Sequence, residues 1–396
     1  RGGESTLGNL IADVQLWATS ELGTQIAFMN PGGMRTDITY ASSGPDDPDG
    51  NVTYREAANV QPFANTLVTM TLTGAQVVQV LEEQWQPAGA ARPFLRLGTA
   101  GITHTYDPTA PAGERIGQVW VGGEPLDPAA EYRVVVNSFL ASGGDNFFTL
   151  AEGTDKADSG RVDLQALVDY LAEFTPVSPD LAQRAVGVHV ATPVPEGGFA
   201  PGTSVTVELS SLLFSAGEPQ GDEVVLTVGD TEVTVAIDPT VVDATDEVGR
   251  ASVTFTIPAD AAAGDLVVGV SVPSTGTATS FTVPVAAPAG GPACVVEYDA
   301  VRVLGLLVGG VRITNTGTEP FAPWTLTWSY TRGEQAGIGI GASISQKGAN
   351  VTARGTILNP RINPGRSTAF AFLGLAPRST VAPTSFQLNG IDCTVE

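Results

Sequence analysis

The sequence predicts a multidomain protein, an α+β N-terminal domain followed by two all-β sandwich domains. Three observations predict it. The chain has 396 residues, more than a single hydrophobic core usually organises. Helical and strand-like periodicities alternate up to about residue 190 and give way to strands alone. Two Pro/Gly-rich stretches, ATPVPEGGFAPG (191–202) and APAGGPA (287–293), sit where the pattern changes and read as linkers. The expected domains are therefore 1–190, 203–286 and 294–396.

In the first domain, Ser5 and Thr6 are capping candidates for a helix from about Leu7 to Glu21. The run LVTMTL (67–72) reads as a strand, and Thr73 opens a helix that carries Val77, Val78, Leu81 and Trp85. Two further strands are QVWVGG (118–123) and YRVVVNSF (132–139). Leu164, Leu167, Val168 and Leu171 fall at i, i+3, i+4, i+7 and mark a last helix. The second domain offers SVTVELS, EVVLTVG, TEVTVAI, ASVTFTIP, DLVVGVSV and SFTVPVA, with Gly229-Asp230 as a hairpin turn. Six or seven short strands in about 85 residues imply an immunoglobulin-like sandwich. The third domain is strand-rich to Glu396 and shows no helical pattern.

Charge and composition exclude several functions. Net charge is −23 with a pI near 4.3, so phosphate backbones and anionic membranes would be repelled. The charge is uneven: from Pro193 to Ala293 Arg250 stands alone against about a dozen acids, whereas the segment after Cys294 is close to neutral. No uninterrupted apolar run reaches the ~18 residues that a membrane span needs. The chain starts at Arg1 without Met or a signal-like stretch, which leads us to expect a processed or excised piece of something longer.

Cys294 and Cys393 are the two cysteines and bracket the last hundred residues. They read as a staple, implying an oxidising, extracytoplasmic compartment; two unpaired thiols remain the alternative at this stage. His104 and His189 are the two histidines, both in strand-like runs. With no HExxH, no histidine pair at ligand spacing, no GxSxG elbow and no Walker loop, the chain is not expected to carry a metal or nucleophilic centre of its own.

Three stretches of the first domain have the composition of a ligand site. NPGGMR (30–35) couples the amide of Asn30 to the guanidinium of Arg35 across glycines that allow close backbone approach. QPFAN (61–65) sets Phe63 beside a proline-stiffened turn, with Asn65 two residues on. LASGGD (140–145) follows Phe139 and ends on Asp145. Two aromatics and a carboxylate suit a purine nucleoside, π-faces holding the base and an acceptor meeting the ribose hydroxyls.

The ordered set ESTLGNLIAD (4–13), NPGGMR, PFAN and FLASGGD resembles the C-terminal domain of the secreted 5′-nucleotidase family, which includes UDP-sugar hydrolases. The resemblance spans about residues 1–190. It implies that Phe63 and Phe139 clamp the base, that Asp145 accepts from the ribose, and that Asn30 and Arg35 face the substrate's polar and phosphate side. Asn65 is a further contact, and Arg1 stands roughly where the family has a phosphate-binding arginine. The family's two metal ions and water-activating Asp-His pair reside in a separate N-terminal domain. This chain is therefore expected to hold no cofactor, and to bind nucleotides without hydrolysing them unless it belongs to a longer parent.

CVVEYDAV, VRITNTGTEPFAPWTLTWSY and FQLNGIDC resemble a family 2 carbohydrate-binding module over about 294–396. Trp324 and Trp328 are expected in its core. The positions where the family carries its sugar-stacking aromatics read as aliphatic here, near Val303 or Leu304, Ile340 and Leu358. Tight cellulose binding is not expected; a protein contact or self-association through this row is. The reading is thus the nucleotide-recognition portion of a secreted or cell-surface phosphoesterase, and the alternative is an extracellular structural, surface-display or self-assembling fragment.

Overall fold

The computed structural model describes residues 3–45, 47–214, 216–241, 247–286, 293–377 and 380–396. Two compact units divide at Val285 and Ala286.

The first unit begins with α1 (Thr6–Ala18), capped by the Ser5 side chain, which accepts from the Gly8 N–H. Then come β1 (Ile26–Met29), α2 (Tyr54–Val60), β2 (Thr66–Thr73), α3 (Gly74–Glu82), β3 (Gly98–Ala100), β4 (Ile102–Tyr106), β5 (Ile116–Val121), β6 (Glu124–Pro125) and β7 (Glu131–Asn137). The domain closes with α4 (Ser138–Ala141), α5 (Phe148–Glu152), β8 (Thr154–Val162), α6 (Asp163–Glu173) and β9 (Ala185–Val190). Thr73 caps α3 in a reciprocal box with Gln76, and Thr53 does the same for α2 with Glu56. The Thr-x-x-Glu spacing of the second box is the sequence signal for α2, a helix that apolar periodicity alone does not reveal in seven residues.

A five-stranded sheet, ordered β3-β1-β7-β2-β8, forms the centre of this domain. Successive side chains of a strand face opposite sides, and here both sides are buried. Ile26, Phe28, Val134 and Val136 join one apolar cluster with α3, while Ala27, Met29 and Val135 join another with α1 and α6.

The ESTLGN motif locks α1 onto the sheet. A Cβ on Gly98 of β3 would overlap the Gly8 carbonyl of α1, so Gly98 serves a close approach of strand and helix. Buried Asn9 accepts from the Thr99 N–H and donates to Glu4. The Glu4 carboxylate, itself buried, accepts from the Arg184 and Ala185 N–H groups at the start of β9. Burial pushes its pKa up. Asp13 completes the lock with a bidentate pair to Arg184 at 2.8 Å.

The second domain comprises β10 (Ser204–Ser210), β11 (Glu223–Val228), β12 (Thr231–Ala236), β13 (Ala251–Thr256), β14 (Gly264–Val272) and β15 (Thr277–Val285). Gly229-Asp230 makes the two-residue turn between β11 and β12, with Val228 opposite Thr231. The sheet β12-β11-β14-β15 packs on strands of the sheet β13-β10-β9-β4-β5-β6 to enclose one apolar core. The segment 191–202 therefore joins elements that are hydrogen-bonded to each other. β9 of the first domain pairs antiparallel with β10 of the second, Val207 opposite Val190. Side chains add Thr6 to Glu218, Gln118 to Thr282 and the Gln183 N–H to Thr277.

The second unit contains β16 (Cys294–Val303), β17 (Leu306–Asn315), β18 (Thr325–Ser329), β19 (Gln335–Ile340), β20 (Ala342–Lys347), β21 (Asn350–Gly355), β22 (Ser367–Leu375), β23 (Phe386–Leu388) and β24 (Ile391–Val395). They run in the order β19-β22-β17-β16-β24-β23-β18-β21-β20. Trp324 and Trp328 are buried in its core, as expected, and the Trp324 Nε1 donates to the Asn359 carbonyl. A Cys294–Cys393 disulfide ties β16 to β24.

Candidate functional site

Strand register alone brings the three sequence motifs to one end of the central sheet. β1 and β7 are parallel with Phe28 opposite Val136, so the chain leaves both strands side by side, at Asn30 and Ser138. β2 is antiparallel to β7 with Leu67 opposite Asn137, so Phe63 and Asn65 lie just before its entry at that same end.

Phe139 differs from its expected place in a strand. It sits in α4, a single turn too short for apolar periodicity, and the turn starts because the Asn137 side chain accepts from the Leu140 N–H. Its ring lies over Gly144, where a Cβ would collide with it. Gly143 adopts φ +84°, and the next non-glycine residues, Asp145 and Asn146, are also left-handed at φ 54° and 65°. Ala64, beside Phe63, is left-handed as well. Such backbone is costly for residues with a Cβ and persists where surroundings enforce it.

The enforcing contacts are visible. The Lys156 ammonium of β8 donates to the Ala141 and Ala151 carbonyls, bridging the two ends of the loop. Partial burial lowers its pKa. Glu83 accepts from the Thr149 N–H and hydroxyl, and burial raises its pKa. Asn146 donates to Gln86.

Asp145 itself is held by a relay of buried amides. The Asn137 Nδ2 donates to the Asn30 Oδ1 at 3.0 Å, and the Asn30 Nδ2 donates to the Asp145 Oδ2 at 2.7 Å. Asn137 and Asn30 are both almost fully buried. Asn137 is absent from the set that the sequence motifs single out; its signal, an Asn directly before a short Ser-Phe-Leu turn, is that of a helix cap. Gly32 leaves room beside Asp145, since a Cβ there would stand 3.3 Å from its Oδ2. Arg35 is exposed, donates from Nη1 to the Gly32 carbonyl, and lies 5.7 Å from the centroid of the Phe63 ring.

Phe63 and Phe139 are 55% and 45% exposed, open positions for large apolar rings in a domain with two filled cores. Asn65 is tied inward instead: its Nδ2 donates to Asp163 and its Oδ1 accepts from Ser138. It braces the start of α6, where burial raises the Asp163 pKa. Arg1 lies outside the described residues. His104 is buried, and burial aided by nearby Arg96 pushes its pKa down to about 3, so it is a neutral strand residue away from the site. Among the described residues no three His, Cys, Asp or Glu side chains converge to hold a metal ion. No helix among them is long and apolar enough to cross a membrane.

Residues 1–152 match the family model of the 5′-nucleotidase C-terminal domain. The match lies within the first domain and takes in Asn30, Phe63 and Phe139 through Asp145. Residues 300–393 match the cellulose binding domain family, and they hold the module with the buried tryptophans. A 5′-nucleotidase-related protein of Glossina morsitans morsitans is 31% identical over 207 residues, 48% of this chain and 36% of its own length. A cell wall protein of Listeria monocytogenes is 32% identical over 147 residues, covering 36% of this chain and 18% of that protein. Endoglucanase B of Cellulomonas fimi is 40% identical over 102 residues, 26% of this chain and 10% of its own. The chain thus spans well under two thirds of the length of each.

Proposed function

We propose that the 5′-nucleotidase C-terminal domain of this chain is the nucleotide-recognition portion of an extracellular phosphoesterase. The observation that carries the reading is the meeting, at one sheet end, of two half-exposed phenylalanines, a guanidinium and a carboxylate of which one oxygen is held by Asn30. Phe63 and Phe139 would take the faces of a purine, the Asp145 Oδ1 would accept from ribose hydroxyls, and Arg35 would meet a phosphate. The domain binds and orients; in this proposal the metal-dependent attack on the phosphate belongs to a separate domain. The disulfide and the cell-wall relative support an extracellular or cell-surface setting.

Isothermal titration of the full chain with adenosine and with AMP tests this. Saturable binding is expected, weakened about 10- to 100-fold by Phe63→Ala or Phe139→Ala, since a stacked base is worth ~1–3 kcal/mol per aromatic partner. No heat at millimolar ligand overturns the reading.

Asn137→Asp examines the amide relay. Aspartate keeps the acceptor that caps α4 but has no N–H for Asn30, whose amide then turns its oxygen toward Asp145. Adenosine affinity is expected to fall about tenfold, with no further loss in an Asp145→Ala background, and melting is expected to fall as well because the new carboxylate is buried. Equal losses in both backgrounds would show that Asn137 acts on the fold and not on Asp145.

A second reading, self-assembly through the C-terminal module, is favoured by that module's exposed aliphatic sheet face.

A further inference from the structure

The four strands β19, β22, β17 and β16 expose one continuous aliphatic face. Their opposite sides fill the module's core with Leu307, Val311, Phe370 and Phe372. On the outer side, register aligns Val301, Val308, Leu373 and Ile338 in one row across the four strands. The adjacent row aligns Val303, Leu306 and Leu375, with Gln335 at the edge. Ile338 is 76% exposed, and the other apolar members of both rows are exposed too.

Turns extend the face at both ends. Leu304, between β16 and β17, is 99% exposed. At the other end Ile340 lies next to Gly341, whose carbonyl accepts from Asn359. That bond holds the turn bearing Ile357 and Leu358, both more than nine-tenths exposed. Charges stand beyond the two rows: Asp299 shares the next row with Ile340, and Glu297 opposes Arg312 one row further on.

We propose that this face pairs with the same face of a second copy of the chain, forming a two-fold dimer of C-terminal modules. Three arguments select that occupant. The first is area: eight half-open and three nearly fully open aliphatic side chains present on the order of 800 Å², above the ~300–600 Å² of the largest patch on a typical monomer and equal to the ~800 Å² that each partner gives a standard interface.

The second is shape and polarity. An apolar centre with charges at the rim matches interface anatomy, and two sheet faces stack at about 10 Å with side chains interdigitating. A neutral polysaccharide fits less well, because aliphatic rows offer no π-face to a sugar ring and no polar partner for its hydroxyls. The third is charge. From Cys294 onward the sequence has eight Lys and Arg against six Asp and Glu, while the whole chain carries −23. Copies therefore repel through their first 293 residues and not through this module.

Sedimentation velocity of the full chain between about 1 and 100 µM tests the proposal. The wild type is expected to pass from monomer to dimer within that range. Leu373→Glu and Ile338→Glu, both at outward positions, should raise the dissociation constant at least tenfold without changing the melting profile. Leu304→Asp, in a turn, supplies the same test should a strand variant fail to fold. A wild type that stays monomeric at 100 µM, as it would if the chain's own first unit covered the face, overturns the proposal. So does a dimer that survives all three substitutions. Retention on cellulose or chitin powder that the variants abolish, without a change in oligomeric state, would assign the face to polysaccharide instead.

Discussion

Removing the Cys294–Cys393 bond is expected to lower the stability of the C-terminal module by about 4–5 kcal/mol, the chain-entropy value for a loop of this size. The bond joins residues 99 apart in sequence. It also sits where β16 and β24 pair in parallel, Val295 opposite Thr394 and Val296 opposite Val395. Loss of the cross-link therefore frees the last strand from a short ladder at the same time as it enlarges the unfolded ensemble. Denaturant unfolding of the wild type with and without reductant, and of a Cys294→Ala, Cys393→Ala double variant, measures the effect. Trp324 and Trp328 are buried in this module's core and report its unfolding. Coincident transitions would mean that the core holds the module without its staple.

Gly98→Ala should cost the first unit about 3 kcal/mol or more, at the upper end of what overpacking does. The new methyl would meet the backbone of Gly8, and backbone has no alternative rotamer to adopt. Either α1 moves off β3 or the strand bends, and both responses disturb the Asn9–Thr99 and Glu4–Ala185 bonds. The converse change is mild. A Cβ on Gly8 would find its nearest atoms at 3.4 Å, and alanine is the better helix former, so Gly8→Ala should stay within about 1 kcal/mol of wild type. The asymmetry between two glycines that touch each other is the measurement. Equally mild effects of both would show that helix and strand can separate freely.

Much of this architecture is legible in the residues themselves, because caps, alternation and turn chemistry act locally. Ser5 and Thr73 begin helices where their hydroxyls predict, and Gly229-Asp230 turns where an alternating run breaks. What escapes is whatever depends on a distant partner. The alternation of AVGVHV in β9 reads the same whether its neighbour is β4 or β10, so the fusion of two domains into one unit is not visible in it. The strand-like VVVN run hides the turn that carries Phe139, since four residues give no helical period.

The site divides along the same line. Exposed aromatics and a Gly-Gly-Asp loop stand out in the sequence, whereas Asn137 and Lys156 act through carbonyls and amides brought to them by the fold. Asn65 combines both kinds: a polar residue beside an exposed ring, it also bonds Asp163 and Ser138 through contacts that only the fold supplies.

The pairing of β9 with β10 has a practical side. A chain cut after Val190 would carry a bare row of amide N–H and carbonyl groups along β9, the kind of open edge that recruits strands from other molecules and ends in aggregation. It would also strip the cover from Val186 and Val188, which belong to the sandwich core. The smallest fragment of this half that could be handled in solution therefore ends near Val285, after the last strand of the second domain.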